Sequence, residues 1–404
     1  MGVNIVFLGV VRMGWRAAFF IFVLGLAGCS GVKPHPVGNF AQYAETPRLH
    51  VSAAFGPDGR LWRVVATHQF VYVDWSKDQG QTFSAPVQVN SQAQHIQTKD
   101  EDRPQIVVDR SGHVYVGYSA YSTLPWTIWV SMSRDGGEHF SVPVLLSDKA
   151  KEARHYQLKL AVSPTDRLYA FWHDDRANPD GSKGAGNELY FATAQQPAGL
   201  DGLVNQKLLG GQCECCRVAV AFDGEAQPLM LARFVYPGSI RDHGLLRSRG
   251  NGKEWSNWRV TFDDWRIEAC PEHGPAFTIS GEGGYHMAWF TQGPIRQGLF
   301  YARSMDRGQH FSAPVSFGDL NRLPSHPDVI VLGNRVVLTW REFDGASTTV
   351  SVMQSQDGGQ SWSAAKLLAQ TAGEADFPFL LSNGQAIFLS WNTQAEGYRL
   401  MRLD

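Results

Sequence analysis

From about residue 48 to the C-terminus, apolar and polar positions alternate with a period of two in short runs, and the runs come in pairs joined by a tight turn. The pairs are 49–55 with 61–66, 105–108 with 114–118, 158–162 with 168–172, and 218–222 with 229–234. Three more follow, 276–279 with 285–290, 329–332 with 336–340, and 377–381 with 386–391. Turns such as Gly56-Pro57-Asp58-Gly59 and Ser382-Asn383-Gly384 supply residues that accept a positive φ, as a hairpin requires. Seven hairpins are predicted. Six continue into a third strand, a turn and a fourth strand, whereas the seventh ends with one more strand near residues 398–403. An open sheet edge invites aggregation, so the missing strand is expected from the other end of the chain, at residues 39–44. No long stretch repeats at 3.6 residues, and the chain reads as all-β.

The turn between the third and fourth strands carries its own pattern, Ser-x-Asp-x-Gly-x-x-aromatic. Full copies are centred on Asp78, Asp135, Asp306 and Asp357; a degenerate copy running from Ser248 to Trp255 has Gly250 in the aspartate position. A further unit has lost the pattern near Thr193. Recurrence at this spacing means a solenoid or a propeller. The serine and aspartate can hydrogen-bond nearby backbone, the glycine takes a positive φ, and the aromatic residue fills the gap between strands. The pattern resembles the Asp-box, or bacterial neuraminidase repeat, of the sialidase superfamily, over roughly residues 48 to 404. The resemblance implies a β-propeller in which the four aspartates are structural and lie opposite the ligand funnel. Hairpin counting favours seven four-stranded antiparallel blades closed by an N-terminal strand, with a six-bladed sialidase-type propeller as the alternative.

Residues 1–28 hold Arg12 and Arg16, an apolar run from Ala17 to Leu26, and Leu26-Ala27-Gly28 before Cys29. This looks like a lipoprotein signal that ends in acylation of Cys29, and the apolar run is shorter than the ~20 residues a membrane span needs. Ser30 after the cysteine points to the outer membrane, facing the periplasm or the cell surface. Residues 29–38 then form a tether, and 39–404 a single propeller domain. The expected location is the cell envelope, with the lipid anchor binding the membrane. Losing the leader shifts the formal charge from −2 to about −4, and no run of Lys or Arg forms a basic stripe, which excludes nucleic acid as a partner.

Chemistry is expected in the segments before each first strand and after each second strand, which share the end away from the octapeptides. In sialidases three arginines hold a carboxylate, an aspartate serves as acid/base, and a tyrosine with a glutamate partner is the nucleophile. Arg48, at the first strand of the first repeat, matches the first arginine, but within Pro47-Arg48-Leu49-His50 rather than the family's motif. Arg296 and Arg341 are candidates to complete the arginine cluster, and Asp174 or Asp175 to act as acid. The last repeat has Phe377-Pro378-Phe379 where the tyrosine would stand.

Cys213-Glu214-Cys215-Cys216 precedes the first strand of the fourth repeat, and Cys270-Pro271-Glu272-His273 that of the fifth. Outside the cytoplasm two disulfides are the favoured reading, with three possible pairings. Cys213, Cys215, Cys216, Cys270 and His273 also form a ligand set suited to copper or zinc. The expected function is a ligand- or partner-binding module whose funnel takes a small polar molecule, a glycan or an envelope protein. An exo-acting glycoside hydrolase of sialidase type is the alternative.

Overall fold

The computed structural model describes residues 42–404 apart from 100, 122–125, 148–152, 179–185 and 195–197. The signal and tether readings, Cys29 included, fall outside the described residues. The described residues belong to one compact unit.

The first sheet is β1 (Val51–Phe55), β2 (Leu61–Ala66), β3 (Val71–Ser76) and β4 (Val87–Gln88). The second adds β5 (His95–Ile96) beside β6 (Gln105–Val108), β7 (Val114–Tyr121), β8 (Thr127–Ser133) and β9 (Val144–Leu145). The third is β10 (His155–Val162), β11 (Leu168–Asp174), β12 (Asn187–Thr193) and β13 (Gln206–Gln212). A single ladder position, Gln212 opposite Phe234, joins it to the fourth, β14 (Ala219–Phe222), β15 (Pro228–Tyr236), β16 (Ile240–Arg249) and β17 (Glu254–Arg259). The fifth is β18 (Ala276–Ile279), β19 (Tyr285–Gln292), β20 (Gln297–Ser304) and β21 (Val315–Phe317). The sixth is β22 (Ser325–Leu332), β23 (Arg335–Phe343), β24 (Thr348–Ser355) and β25 (Lys366–Thr371), and the last is β26 (Phe379–Ser382), β27 (Ile387–Thr393) and β28 (Gly397–Leu403).

The first strand of each sheet packs against the first strand of the next, and β26 returns to β1. The ring so closed surrounds an axial cavity of about 300 Å³ to which all of these innermost strands contribute. This is a β-propeller of antiparallel sheets. The hydrophobic core is split into layers, each shared by two consecutive sheets: Val64, Val73, Val116 and Tyr118 between the first and second, Val337, Val352 and Leu389 between the sixth and last. The expected N-terminal closing strand is corrected where it can be seen. Gln42 to Ala44 make no ladder pair, and the last sheet has three strands among the described residues. Tyr43 instead packs edge-on against Tyr72 of the first sheet and donates its hydroxyl to Asp74 at 2.6 Å, a side-chain anchorage that needs no backbone pairing.

The octapeptides act between sheets. In each full copy the serine hydroxyl donates to the aspartate (2.7–2.8 Å) and accepts from the glycine N–H (2.8–2.9 Å), while the aspartate accepts the N–H four residues on. Those bonds hold Asp78 down to about 2, and they hold the other three carboxyls low as well. The glycine, at φ near +80°, is pressed onto the preceding sheet. A Cβ at Gly137 would meet Trp62 at 2.5 Å, at Gly308 Leu245 at 2.6 Å, and at Gly359 Tyr301 at 2.0 Å. The degenerate copy keeps this contact, Gly252 against Phe191 at 2.7 Å, without an aspartate. The aromatic position faces the same way: Trp362 lies on Tyr301 and Trp255 on Phe191.

Gly359 and Gly384 both have φ near +84°, but Gly384 faces open space. Gly384→Ala is expected to cost about 1 kcal/mol for the left-handed backbone alone. Gly359→Ala adds overpacking and is expected to cost about 2–4 kcal/mol in all. Urea unfolding of both variants checks this; equal losses would mean the turn is not clamped on its neighbour.

Candidate functional site

The antiparallel topology puts the short hairpin turns and the octapeptides at one end of the ring. The segments entering the innermost strands gather at the other end. Four of them share an X-Pro pair, Arg103-Pro104, Gly274-Pro275, His326-Pro327 and Phe377-Pro378, and these four X residues converge. Two innermost strands also carry an irregular register there, β10 at Tyr156/Lys159 and β22 at Ser325/Asp328. In β22 this sets His326 at φ 51°, a left-handed conformation that proline disfavours in the residue before it.

Phe377 is the centre of the cluster. The His326 ring stacks on it at 3.6 Å and 10°, and the guanidinium carbons of Arg341 and Arg103 lie 5.1 and 5.3 Å from its centroid. Asp376 is fully engaged: Oδ2 accepts from Arg103 Nη1 (2.7 Å) and Val51 N (3.0 Å), and Oδ1 from Phe377 N (2.7 Å). Glu101 is engaged too, accepting from Arg217 N (2.8 Å), Arg217 Nη1 (2.9 Å) and Gly274 N (3.1 Å). Gly274 has to be glycine here, because a Cβ would lie 2.2 Å from Arg217 Cγ.

Arg341 differs from its neighbours. It pairs with no carboxylate among the described residues, and its buried Nε has no hydrogen-bond partner. Burial works against its charge, with Asp376 offsetting part of that cost. His273, its ring 5.1 Å from that of His326, is pushed by burial and by Arg233, Arg217 and Arg341 down to about 3. Burial, with His273 and the charges of Arg341, Arg217 and Arg103, holds His326 well below its usual range. Both imidazoles are therefore neutral at pH 7, and Nδ1 of each is buried without a hydrogen-bond partner. A desolvated cation beside neutral ring nitrogens suits an incoming anion.

The other candidates sit elsewhere. Asp174 accepts from Arg176 (2.6 and 2.9 Å) and lies 3.0 Å from His155 Nε2. Burial would raise this carboxyl, but those partners hold it at about 2, so it stays ionised. Asp175 binds Arg154 N at 2.6 Å and the Arg154 side chain. Arg296 is paired with Asp263. Arg48 precedes β1 rather than standing in it, and lines a separate cavity of about 540 Å³ with His50, His95, Lys99 and Glu374. Of the five residues proposed for catalysis, only Arg341 belongs to the Phe377 cluster. Glu101, Arg217 and Phe377 itself were not anticipated as site residues; the repeated X-Pro entry, with Arg217-Val218 at the same offset, is the signal that marks them.

The cysteines lie next to this cluster. Cys215 is bonded to Cys270 (Cα–Cα 5.9 Å), which staples the entry of β14 to that of β18. Cys213 and Cys216 are free and fully buried, their sulfurs 2.6 Å apart. Burial alone would raise both thiols. For Cys213 the hydrogen bond from Cys216 and the charges of Arg233 and Arg241 prevail and lower it, whereas burial and Cys213 together push Cys216 well up. Of the five proposed metal ligands, Cys213, Cys215 and Cys216 come within 4.8 Å of one another, with Cys215 committed to Cys270.

No family model matches the chain, and no curated protein matches it by sequence. Solved structures do match in fold. The chain is similar to the BP39L lectin from Burkholderia pseudomallei, at 10% identity over 88% of this chain and 98% of the lectin, with a TM-score of 0.59. It is also similar to a PL25 ulvan lyase (10% identity, 88% and 94% coverage, TM-score 0.56) and to the Hadza microbial sialidase Hz136 (13%, 86% and 74%, 0.50). At these identities the likeness is one of fold.

Asp102, next to Glu101, accepts from Ser119 Oγ at 3.2 Å, and burial raises its carboxyl to about 7. An unfolded aspartate titrates near ~3.9, so between those values the folded state holds the extra proton and stability falls as pH rises. Asp102→Asn is expected to flatten this dependence, so that its melting temperature gains roughly several degrees on wild type between pH 5 and pH 8. Thermal melts across that range check it; parallel curves would contradict it.

Proposed function

We propose that this protein is a lipid-anchored envelope propeller that binds an acidic saccharide at the end of the ring bearing Arg341. The observation that carries the reading is a half-buried guanidinium over the Phe377 ring that makes no ion pair with a carboxylate among the described residues. Desolvating a cation without a counter-ion is costly, and a ligand carboxylate or sulfate would offset that cost through two parallel hydrogen bonds. The fold neighbours favour a sugar as the bearer of that anion. One is a lectin, one a sialidase, and the lyase is also described bound to -[GlcA(1-4)Rha3S]-. Anchoring at Cys29 rests on the leader sequence alone.

The surroundings of Arg341 support binding rather than hydrolysis. A glycosidase needs a carboxyl available to give or take a proton at the scissile bond. Asp376 and Glu101, the acids of the cluster, already have their oxygens filled by Arg103, Arg217 and backbone N–H groups. The neutral imidazole of His273, titrating near 3, is a poor base.

Calorimetric titration with uronate-bearing, sulfated and neutral oligosaccharides tests this reading. Acidic saccharides are expected to bind and neutral ones of equal length not to. Arg341→Ala is expected to weaken binding roughly ten- to hundredfold, the loss of a charged hydrogen-bonding group. Equal affinity for neutral sugars, an unaffected Arg341→Ala variant, or turnover of the bound saccharide would each count against it. For the anchor, Cys29→Ser is expected to move the protein from the detergent to the aqueous phase on partitioning; unchanged partitioning would remove that part.

A further inference from the structure

Cys213, Cys215 and Cys216 bring three sulfurs of one short loop within 4.8 Å of each other, and of the three only Cys215 is bridged. Cys215 is bridged to the half-buried Cys270, whereas Cys213 and Cys216 face each other as buried thiols at 2.6 Å, spaced as Cys-x-x-Cys. A third feature is the charge beside them. Arg233 is fully buried and donates to the carbonyls of Arg241 (2.8 Å), His273 (3.1 Å) and Phe290 (2.6 Å), yet it pairs with no carboxylate among the described residues. A buried cation without an acid partner favours a thiolate close by, and the thiolate is the attacking species in disulfide exchange.

We propose that Cys213 and Cys216 are a redox-active dithiol that exchanges with the Cys215–Cys270 disulfide, so that this end of the ring exists as two disulfide isomers. The Cys213 thiolate attacks Cys215 Sγ; the Cys213–Cys215 bond forms, the Cys215–Cys270 bond breaks, and Cys270 leaves with the electron pair and takes up the proton Cys213 gave up. Cys216, as thiolate, then attacks Cys213 Sγ, forming Cys213–Cys216, and Cys215 leaves and takes the proton from Cys216. One disulfide and two thiols enter and one disulfide and two thiols emerge, with no external oxidant. The direct Cys215–Cys216 bridge is avoided, since sequence neighbours bridge only with strain.

The exchange has two outcomes for the fold. Cys270 becomes a half-buried thiol, the one sulfur of the set placed to meet a disulfide in solution. The strap that carries His273 also loses its covalent tie to the fourth sheet and keeps hydrogen bonds such as the one Glu272 N donates to Cys215 Sγ at 3.4 Å. Coupling to ligand affinity rests on the acidic-saccharide reading; the exchange itself does not.

The test is disulfide mapping of the full chain. The protein is poised with dithiothreitol so that it holds one disulfide, quenched in acid, alkylated with N-ethylmaleimide under denaturing conditions and digested. Both Cys215–Cys270 and Cys213–Cys216 are expected in that one-disulfide population. In Cys216→Ser the second step is blocked, and Cys213–Cys215 is expected with Cys270 alkylated. A single bridge in the one-disulfide wild-type population, whichever it is, overturns the proposal, and that measurement requires no variant to fold. If the two isomers appear and bind a uronate oligosaccharide equally, the exchange stands and its coupling to the ligand falls.

Discussion

The contact on which the structure depends is the seating of each octapeptide turn against the preceding sheet. The glycine leaves room for an aromatic or aliphatic side chain of the neighbour, Trp62 at Gly137 and Tyr301 at Gly359, and the aromatic residue of the motif covers the same seam. The first sheet makes the same contact with the last, through Gly80 against Leu400 and Phe83 against Tyr398. Each sheet that carries the turn thus has one place to sit, and apolar layers fill the seams between sheets. Because those layers are sealed at the turn end, the opposite end is free to carry charge.

That freedom is used unevenly. Most ionisable groups there are paired within the fold: Asp174 with Arg176, Asp263 with Arg296, Glu214 with Arg241, Glu101 with Arg217, Asp376 with Arg103. Buried pairs of this kind hold entry segments in register more than they stabilise the fold, since desolvation offsets much of their attraction. Against that background Arg341 and Arg233 stand out as cations that form no ion pair with a carboxylate among the described residues. One lies at the Phe377 cluster and the other beside the thiols, and His273 touches both neighbourhoods, through its ring near His326 and its carbonyl on Arg233. Ligand chemistry and thiol chemistry are therefore neighbours by construction.

The hairpins and the octapeptides were legible because each is a local signal, a period of two and a fixed turn grammar, and strand ends differ from expectation by only a few residues. The cysteine cluster was legible as a disulfide site, but one bridge forms rather than the two expected, and its pairing was not legible, since the choice of Cys215 depends on how the β14 entry loop is aimed, a matter of three dimensions. The closing strand at 39–44 was inferred from the need to cover an edge; Tyr43 shows that part of this segment is fixed through its side chain instead. Arg48 matched a family position by its place in the sequence, yet the chain enters β1 later, which leaves Arg48 beside another cavity. The X-Pro pairs were visible throughout but meant little until the ring placed Arg103, Gly274, His326 and Phe377 side by side.

The central claim is that the ring delivers an unpaired cation, Arg341, to an anionic ligand at the end away from the octapeptides. A crystal structure of the protein with a uronate-bearing oligosaccharide tests this most directly. The account requires the ligand carboxylate within hydrogen-bonding distance of the Arg341 guanidinium, beside His326 and Phe377. A saccharide seated instead in the cavity beside Arg48, or on the octapeptide face, would contradict it.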